Sequence, residues 1–112
     1  MRRYLLEAEQ ARLQTARAEL VRALRDSPLD PAAQAIERLP RAGDNGWTSA
    51  WISALHQTRE AAERWSLAIE QLHATLPRLE PSAAVTRLAQ QLRALAHQAT
   101  ALIGECARLR IF

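Results

Sequence analysis

Three histidines, His56, His73 and His97, are the side chains best suited to bind a metal or to move a proton near neutral pH. A metal site on a helix needs ligands one turn apart, at i and i+3 or i+4, so that two of them converge on one ion. No two of the three histidines stand at that spacing, so neither a metal site nor any other cofactor is expected. Among the carboxylates, Glu60 and Glu63 are three residues apart and flanked by Arg59 and Arg64. That is the pattern of solvated ion pairs on an exposed helix face rather than of an acid–base dyad. Glu7 and Glu9 are two apart and do not face each other. There is no serine–histidine–aspartate arrangement and no nucleotide fingerprint. With three glycines in 112 residues, a backbone cradle for phosphate has little to be built from. The chain therefore reads as not an enzyme, with no small-molecule substrate.

Cys106 is the only cysteine, which excludes an intramolecular disulfide framework and a cysteine metal cluster. It falls on an apolar seam described below and reads as a buried structural thiol rather than a redox sensor. Trp65 lies on the same seam and is assigned to the core. Trp47 and Trp51, at i and i+4, have two readings. They cap one end of the core against the first helix, or they anchor a partner, since tryptophan is enriched at binding hot spots. Ile52, beside Trp51 but off the seam, favours the second. The candidate partner-binding set is thus Trp47, Trp51 and Ile52, together with Ala89, Ala96 and Ile103 on a flank of the last helix.

All 15 basic residues are arginine; there is no lysine. A GC-rich genome accounts for this without selection, whereas a surface chosen for bidentate phosphate contacts would account for it functionally. Net charge is +3, spread unevenly: residues 1–26 hold six arginines against four acids, residues 77–112 five against two, and the two middle stretches are each −1. The asymmetry falls short of a nucleic-acid-binding stripe. An alternative function as a nucleic-acid-associated accessory protein would rest on Arg2, Arg3, Arg12, Arg17, Arg108 and Arg110. Arg108 and Arg110 have no interleaved aromatics on which bases could stack, and convergence of the whole set on one face is the feature that would favour this reading.

The elements that must position these residues are helices. Alanine, leucine, arginine, glutamine and glutamate dominate, and no segment alternates with period two. Prolines and glycines break the chain at Pro28–Pro31, Pro40–Gly46 and Pro77–Pro81. Four helices are predicted, over about 2–25, 31–39, 47–76 and 82–111, with Asp30 as N-cap and Pro31 in the first position of the second. Asp44-Asn45-Gly46 is read as a helix–helix connection, because no alternating strands flank it.

The third and fourth helices carry a sustained heptad seam. Trp51, Leu55, Thr58, Ala62, Trp65, Ile69, Leu72 and Leu76 are spaced 4,3,4,3,4,3,4, and Val85, Leu88, Leu92, Leu95, Ala99, Leu102, Cys106 and Leu109 are spaced 3,4,3,4,3,4,3. The short connection between them makes the arms antiparallel neighbours. Folding there pairs Leu76 with Val85, Leu72 with Leu88, Ile69 with Leu92, Trp65 with Leu95, Ala62 with Ala99, Thr58 with Leu102, Leu55 with Cys106 and Trp51 with Leu109. The seam has apolar flanks: Trp47, Ala54, Ala61 and Ala68 on one arm, Ala89, Ala96 and Ile103 on the other. These flanks fall on opposite sides of the hairpin. The first helix, with one main stripe at Leu6, Leu13 and Leu20, covers one of them and leaves the other for a second copy or another partner.

The fold class expected is all-α: one domain, an up-down helical bundle built on a long antiparallel coiled-coil-like hairpin. An alanine-rich core of this size gains from association. The N-terminal apolar run is too short for a signal peptide and nothing approaches the ~20 apolar residues of a membrane span, so a cytoplasmic location away from membranes is expected. The function expected is that of a protein-interaction module, a small adaptor, chaperone or regulator presenting an apolar helical groove, with a homodimer as the expected assembly.

Overall fold

The computed structural model describes residues 2–75 and 83–109, with side chains described from residue 7 onward. Four helices follow in order: α1 Arg2–Arg25, α2 Asp30–Glu37, α3 Trp47–Thr75 and α4 Ala83–Leu109. No strand occurs among the described residues. The helices form an elongated body of 60 × 22 × 18 Å. At 1.5 Å per residue, α3 alone spans ~43 Å, so the hairpin sets the long dimension. The predicted ends of the last two helices at residues 76, 82, 110 and 111 lie outside the described residues.

α1 ends where Ser27 intervenes. The Ser27 hydroxyl donates to the Leu24 carbonyl at 2.7 Å and accepts the Leu29 N–H at 3.0 Å, and Pro28 cannot continue the helix. Arg22 and Arg25 in the last turn sit favourably at the negative end of the helix dipole.

The start of α2 differs from the sequence-based expectation. Leu29, not Asp30, is the N-cap, no side chain caps the helix, and Pro31 stands one position further in than expected. Asp30 instead turns its carboxylate toward Arg25, 3.8 Å away. α2 also stops at Glu37 rather than at residue 39. Leu39 precedes Pro40, whose ring disfavours helical backbone in the residue before it, and the Leu39 and Pro40 carbonyls are both taken by Arg17 at 3.0 and 3.2 Å.

The connection to α3 behaves as expected. Asp44 donates its N–H to Arg41 and Trp47 donates to Asp44, closing consecutive turns. Gly43 and Gly46 both have positive φ, 102° and 72°. Gly43 has a second reason to be glycine: a Cβ there would stand 2.7 Å from the Gln10 side chain. The loop is pinned to α1 by the Gln14 side chain, which accepts the Ala42 N–H at 2.8 Å.

Packing places α4 at the centre. It lies against α3 along its length and also against α1. At one end Arg12 of α1 bonds Glu105 of α4 at 2.5 Å and Arg108 reaches Glu9 at 3.2 Å. At the other end Gln91 donates to the Asp26 carbonyl at 2.8 Å. α1 and α4 therefore run antiparallel, as do α3 and α4, which Glu70 and Arg93 clasp at 3.2 Å. α2 folds back on α1 and touches α3.

One continuous core results, made of Leu13, Leu20, Val21 and Leu24 of α1, Ala33 and Ile36 of α2, and the seam residues of the hairpin. The seam layers at the open end of the hairpin are sealed as the heptads require. Trp51, Leu55, Thr58, Ala62, Ala99, Leu102, Cys106 and Leu109 are all buried. The hydroxyl of Thr58 is satisfied inside its own helix by donation to Ala54 at 3.0 Å.

Toward the turn the two arms diverge. On α4 burial continues to Leu95 and Leu92, but on α3 it stops at Ala62. Trp65, assigned to the core from its seam position, is 44% exposed, and Leu72 is 57% exposed. The cause is third-element coverage: α4 has helices on two sides, whereas the C-terminal half of α3 packs on α4 alone. Leu76, the last seam position of that arm, lies outside the described residues.

Candidate interaction surface

The exposed side chains at the far end of α3 form a pattern. Ala61, Trp65, Ala68 and Leu72 recur at spacings of 4, 3 and 4, which places them in one line along a helix. Ala68, Trp65 and Leu72 are exposed and Ala61 half-buried. A shallow open groove on this line is lined by Ala61, Arg64, Trp65 and Ala68. Leu67, 52% exposed, lies on a different face of the same helix. Trp65, Leu67 and Leu72 are the exposed large hydrophobic residues of the described chain, and all three fall on this half of α3. Single exposed apolar residues are ordinary; a contiguous line that includes a tryptophan makes this stretch the candidate contact surface.

The residues singled out from the sequence lie elsewhere. Trp51 is 1% exposed and held on three sides. Its indole N–H donates to the Pro40 carbonyl at 2.7 Å, the Arg17 guanidinium sits 4.9 Å from its ring centroid, and Trp47 meets it edge-on at 5.4 Å and 84°. These contacts leave Trp51 no face to offer a partner in this fold; it closes the open end of the hairpin against α1, the other reading of the pair. Trp47 and Ile52 are half-buried and packed on the core. Ala96 and Ile103 are likewise packed on it, and Ala89 is half-buried.

The exposed apolar residues of the line are thus Trp65, Ala68 and Leu72 of α3, while Ala61 is half-buried and packed on the core as Ala96 and Ile103 are. The line includes Ala61 and Ala68, which the heptads placed on a flank of α3. Trp65 and Leu72 were hidden from the sequence because they occupy seam positions. The signal that could have found them is the length of the arms. α2 and its loop are too short to cover all of a 29-residue helix.

Among the described residues, Arg12, Arg17 and Arg108 of the candidate cationic set are engaged by other groups of the fold. Arg12 is bonded to both Glu9 and Glu105, and Arg108 to Glu9. The Arg12 hydrogen bond, followed by that of Arg108, holds the Glu9 carboxyl below its ordinary value. That contribution to stability is present above pH 4.5 and is lost as pH falls through the depressed value. Arg17 is committed to Trp51 and to the carbonyls of Leu39 and Pro40. Burial, with Arg41 nearby, lowers its pKa. The side chains of Arg2 and Arg3, and Arg110 altogether, lie outside the described residues.

The remaining chemical candidates stay apart. His56 and His73 are half-buried and His97 exposed. No group of three or more histidine, cysteine, aspartate or glutamate side chains that could hold a metal occurs among the described residues. Glu60 and Glu63 are exposed, and Arg59 stands 3.8 Å from Glu63 in an i, i+4 pair.

Cys106 is fully buried, and burial pushes its thiol up from 9.0 to about 11, with Glu105 adding to the shift. Because the folded thiol holds its proton more tightly than the unfolded one, its contribution to stability is intact below pH 9 and is lost as pH rises through about 11. At pH 8 native Cys106 is expected to resist alkylation by iodoacetamide and to label fully in denaturant. Labelling of the native protein at the rate of a free thiol would contradict its place in the core.

No helix among the described residues is long and apolar enough to cross a membrane. The chain matches no protein-family model, no curated protein and no solved structure.

Proposed function

We propose that this protein is a non-enzymatic interaction module of the cytoplasm, a small adaptor, chaperone or regulator, and that the outer face of α3 from Ala61 to Leu72 is its docking surface. The observation that carries this reading is Trp65. A tryptophan nearly half exposed, in line with Leu72 and two alanines on a regular helix, presents a large rigid apolar group at no cost of ordering a loop. The alanines on either side leave room for the ridge of a partner helix. The fold supports the same reading by what it leaves over. α1 and α2 complete the core at one end of the hairpin, and the other end of α3 packs on α4 alone.

The experiment is affinity capture from extracts of the source cells with the wild-type chain and with Trp65→Glu, each checked for helicity by circular dichroism. Because Trp65 is outside the buried core, the variant is expected to fold. Proteins held by the wild type and lost with Trp65→Glu are the expected result. Identical captured sets would refute the assignment of this face.

A further inference from the structure

A second groove, between α1 and α2, is cationic. Its volume is 410 Å³, and Arg17, Arg22 and Arg25 of α1 line it together with Glu37 of α2. The buried Val21 and the exposed Ala18 supply its apolar part. The three arginines are not equivalent. Arg25 is balanced: it donates to Glu37 at 2.5 Å and approaches Asp30 at 3.8 Å. Arg17 and Arg22 enter none of the ion pairs of the described residues. Counting the lining side chains, three arginines against one glutamate leave +2.

Arg17 is also fixed in place. Its Nη1 donates to the carbonyls of Leu39 and Pro40 at 3.0 and 3.2 Å, and its guanidinium rests on Trp51, 4.9 Å from the ring centroid. A guanidinium carries five N–H donors. Those on Nε and Nη2 take part in no hydrogen bond among the described residues, and neither atom is closed off from solvent. The charge acting on this half-buried group is another cation, Arg41, so nothing nearby offsets its burial. An arginine held before its ligand arrives has less side-chain entropy to lose on binding, and its remaining fork matches two oxygens of a phosphate.

We propose that this groove binds a small phosphomonoester, with the phosphoryl oxygens on Arg17 and Arg22. The charges match: a phosphoryl monoester carries about −1.5 to −2 at pH 7, against the +2 of the lining. A phosphodiester or a carboxylate brings one charge and leaves one arginine unanswered. Ala18 and Val21 give the carbon body of the ester a surface to lie on. Side chains do the binding, so the scarcity of glycine does not limit it. The site is separate from the α3 face, and neither assignment rests on the other.

The test is an amide NMR titration of the whole chain with phenyl phosphate at about pH 7.5, where the ester is mostly a dianion, at constant ionic strength. Benzoate, with the same ring and one charge, is titrated alongside. Saturable shifts centred on Ala18, Val21, Arg22 and Glu37 are expected, with benzoate several times weaker. Arg22→Gln is expected to weaken phenyl phosphate roughly tenfold, the loss of one charge-assisted contact. Arg22 is exposed, so its side chain is not part of the core. Arg93→Gln removes the same charge from an exposed pair with Glu70 and is expected to leave the affinity unchanged. Circular dichroism checks the fold of both variants. Absence of saturable shifts in the wild type overturns the site. Equal weakening by the two variants overturns it as well, because overall charge then accounts for the binding. Benzoate bound as tightly as phenyl phosphate overturns the dianion as its ligand.

Discussion

Replacing Trp51 with alanine is expected to remove about 3–5 kcal/mol of folding stability, measured as the shift of the urea midpoint at constant slope. A domain of this size holds about 5–15 kcal/mol in all, so the variant is marginal. The effect is large because one side chain joins three segments. The ring is buried on α3, its N–H donates to the Pro40 carbonyl, and Arg17 of α1 stacks over it. Trp51→Phe separates these contributions. It keeps most of the packing and forfeits the hydrogen bond, for an expected loss of about 1–2 kcal/mol. The Pro40 carbonyl retains its bond from Arg17 in that variant. A loss below about 1 kcal/mol for Trp51→Ala would show that the junction between α1, the loop and α3 does not depend on the indole.

A second large effect is a contrast between two leucines that both lie on the α3 seam. Leu55→Ala is expected to lose about 2–5 kcal/mol, the range for a leucine buried in a packed core. Leu55 is 1% exposed and Leu72 is 57% exposed. Leu72→Ala removes a side chain that is already mostly in water and is expected to lose less than about 1 kcal/mol. The same denaturation experiment reads both. Comparable losses would mean that Leu72 is covered in solution, at the concentration of the measurement, by something that the single chain does not supply.

That contrast marks where the sequence stops being informative. The helical class, the hairpin and its antiparallel sense followed from period and punctuation, and the buried layers from Ala62 and Ala99 to Trp51 and Leu109 lie where the heptads put them. A heptad repeat, however, reports only that a position faces its neighbouring helix. It does not report whether a third element covers the pair. Trp65 and Leu72 satisfy the same spacing as Leu55, yet they are exposed because α1 lies on α4 and leaves this half of α3 bare.

Trp51 shows the converse. Its i, i+4 relation to Trp47 beside a glycine loop suited an anchor for a partner, but the long-range contacts with Pro40 and Arg17 that bury it have no local signature. The α2 start shows the same limit at smaller scale. Asp30 has the chemistry of an N-cap, and the nearby Arg25 draws its carboxylate away. For the surface, composition gave the arginines but not their partners. Glu105 meets Arg12, and Glu9 meets Arg108, only once α1 and α4 are packed, whereas the Glu9–Arg12 pair is local to α1.

Solvent access to Trp65 tests most directly whether the outer face of α3 stands open to a partner. The measurement is acrylamide quenching of tryptophan fluorescence in the wild type and in Trp65→Phe, with circular dichroism on the same samples. Trp65 is 44% exposed and Trp51 1%, and Trp47 is half-buried, so the wild type is expected to be quenched more strongly than Trp65→Phe, with unchanged helicity. Equal quenching of the two proteins would contradict the exposure of Trp65 on which the docking surface rests.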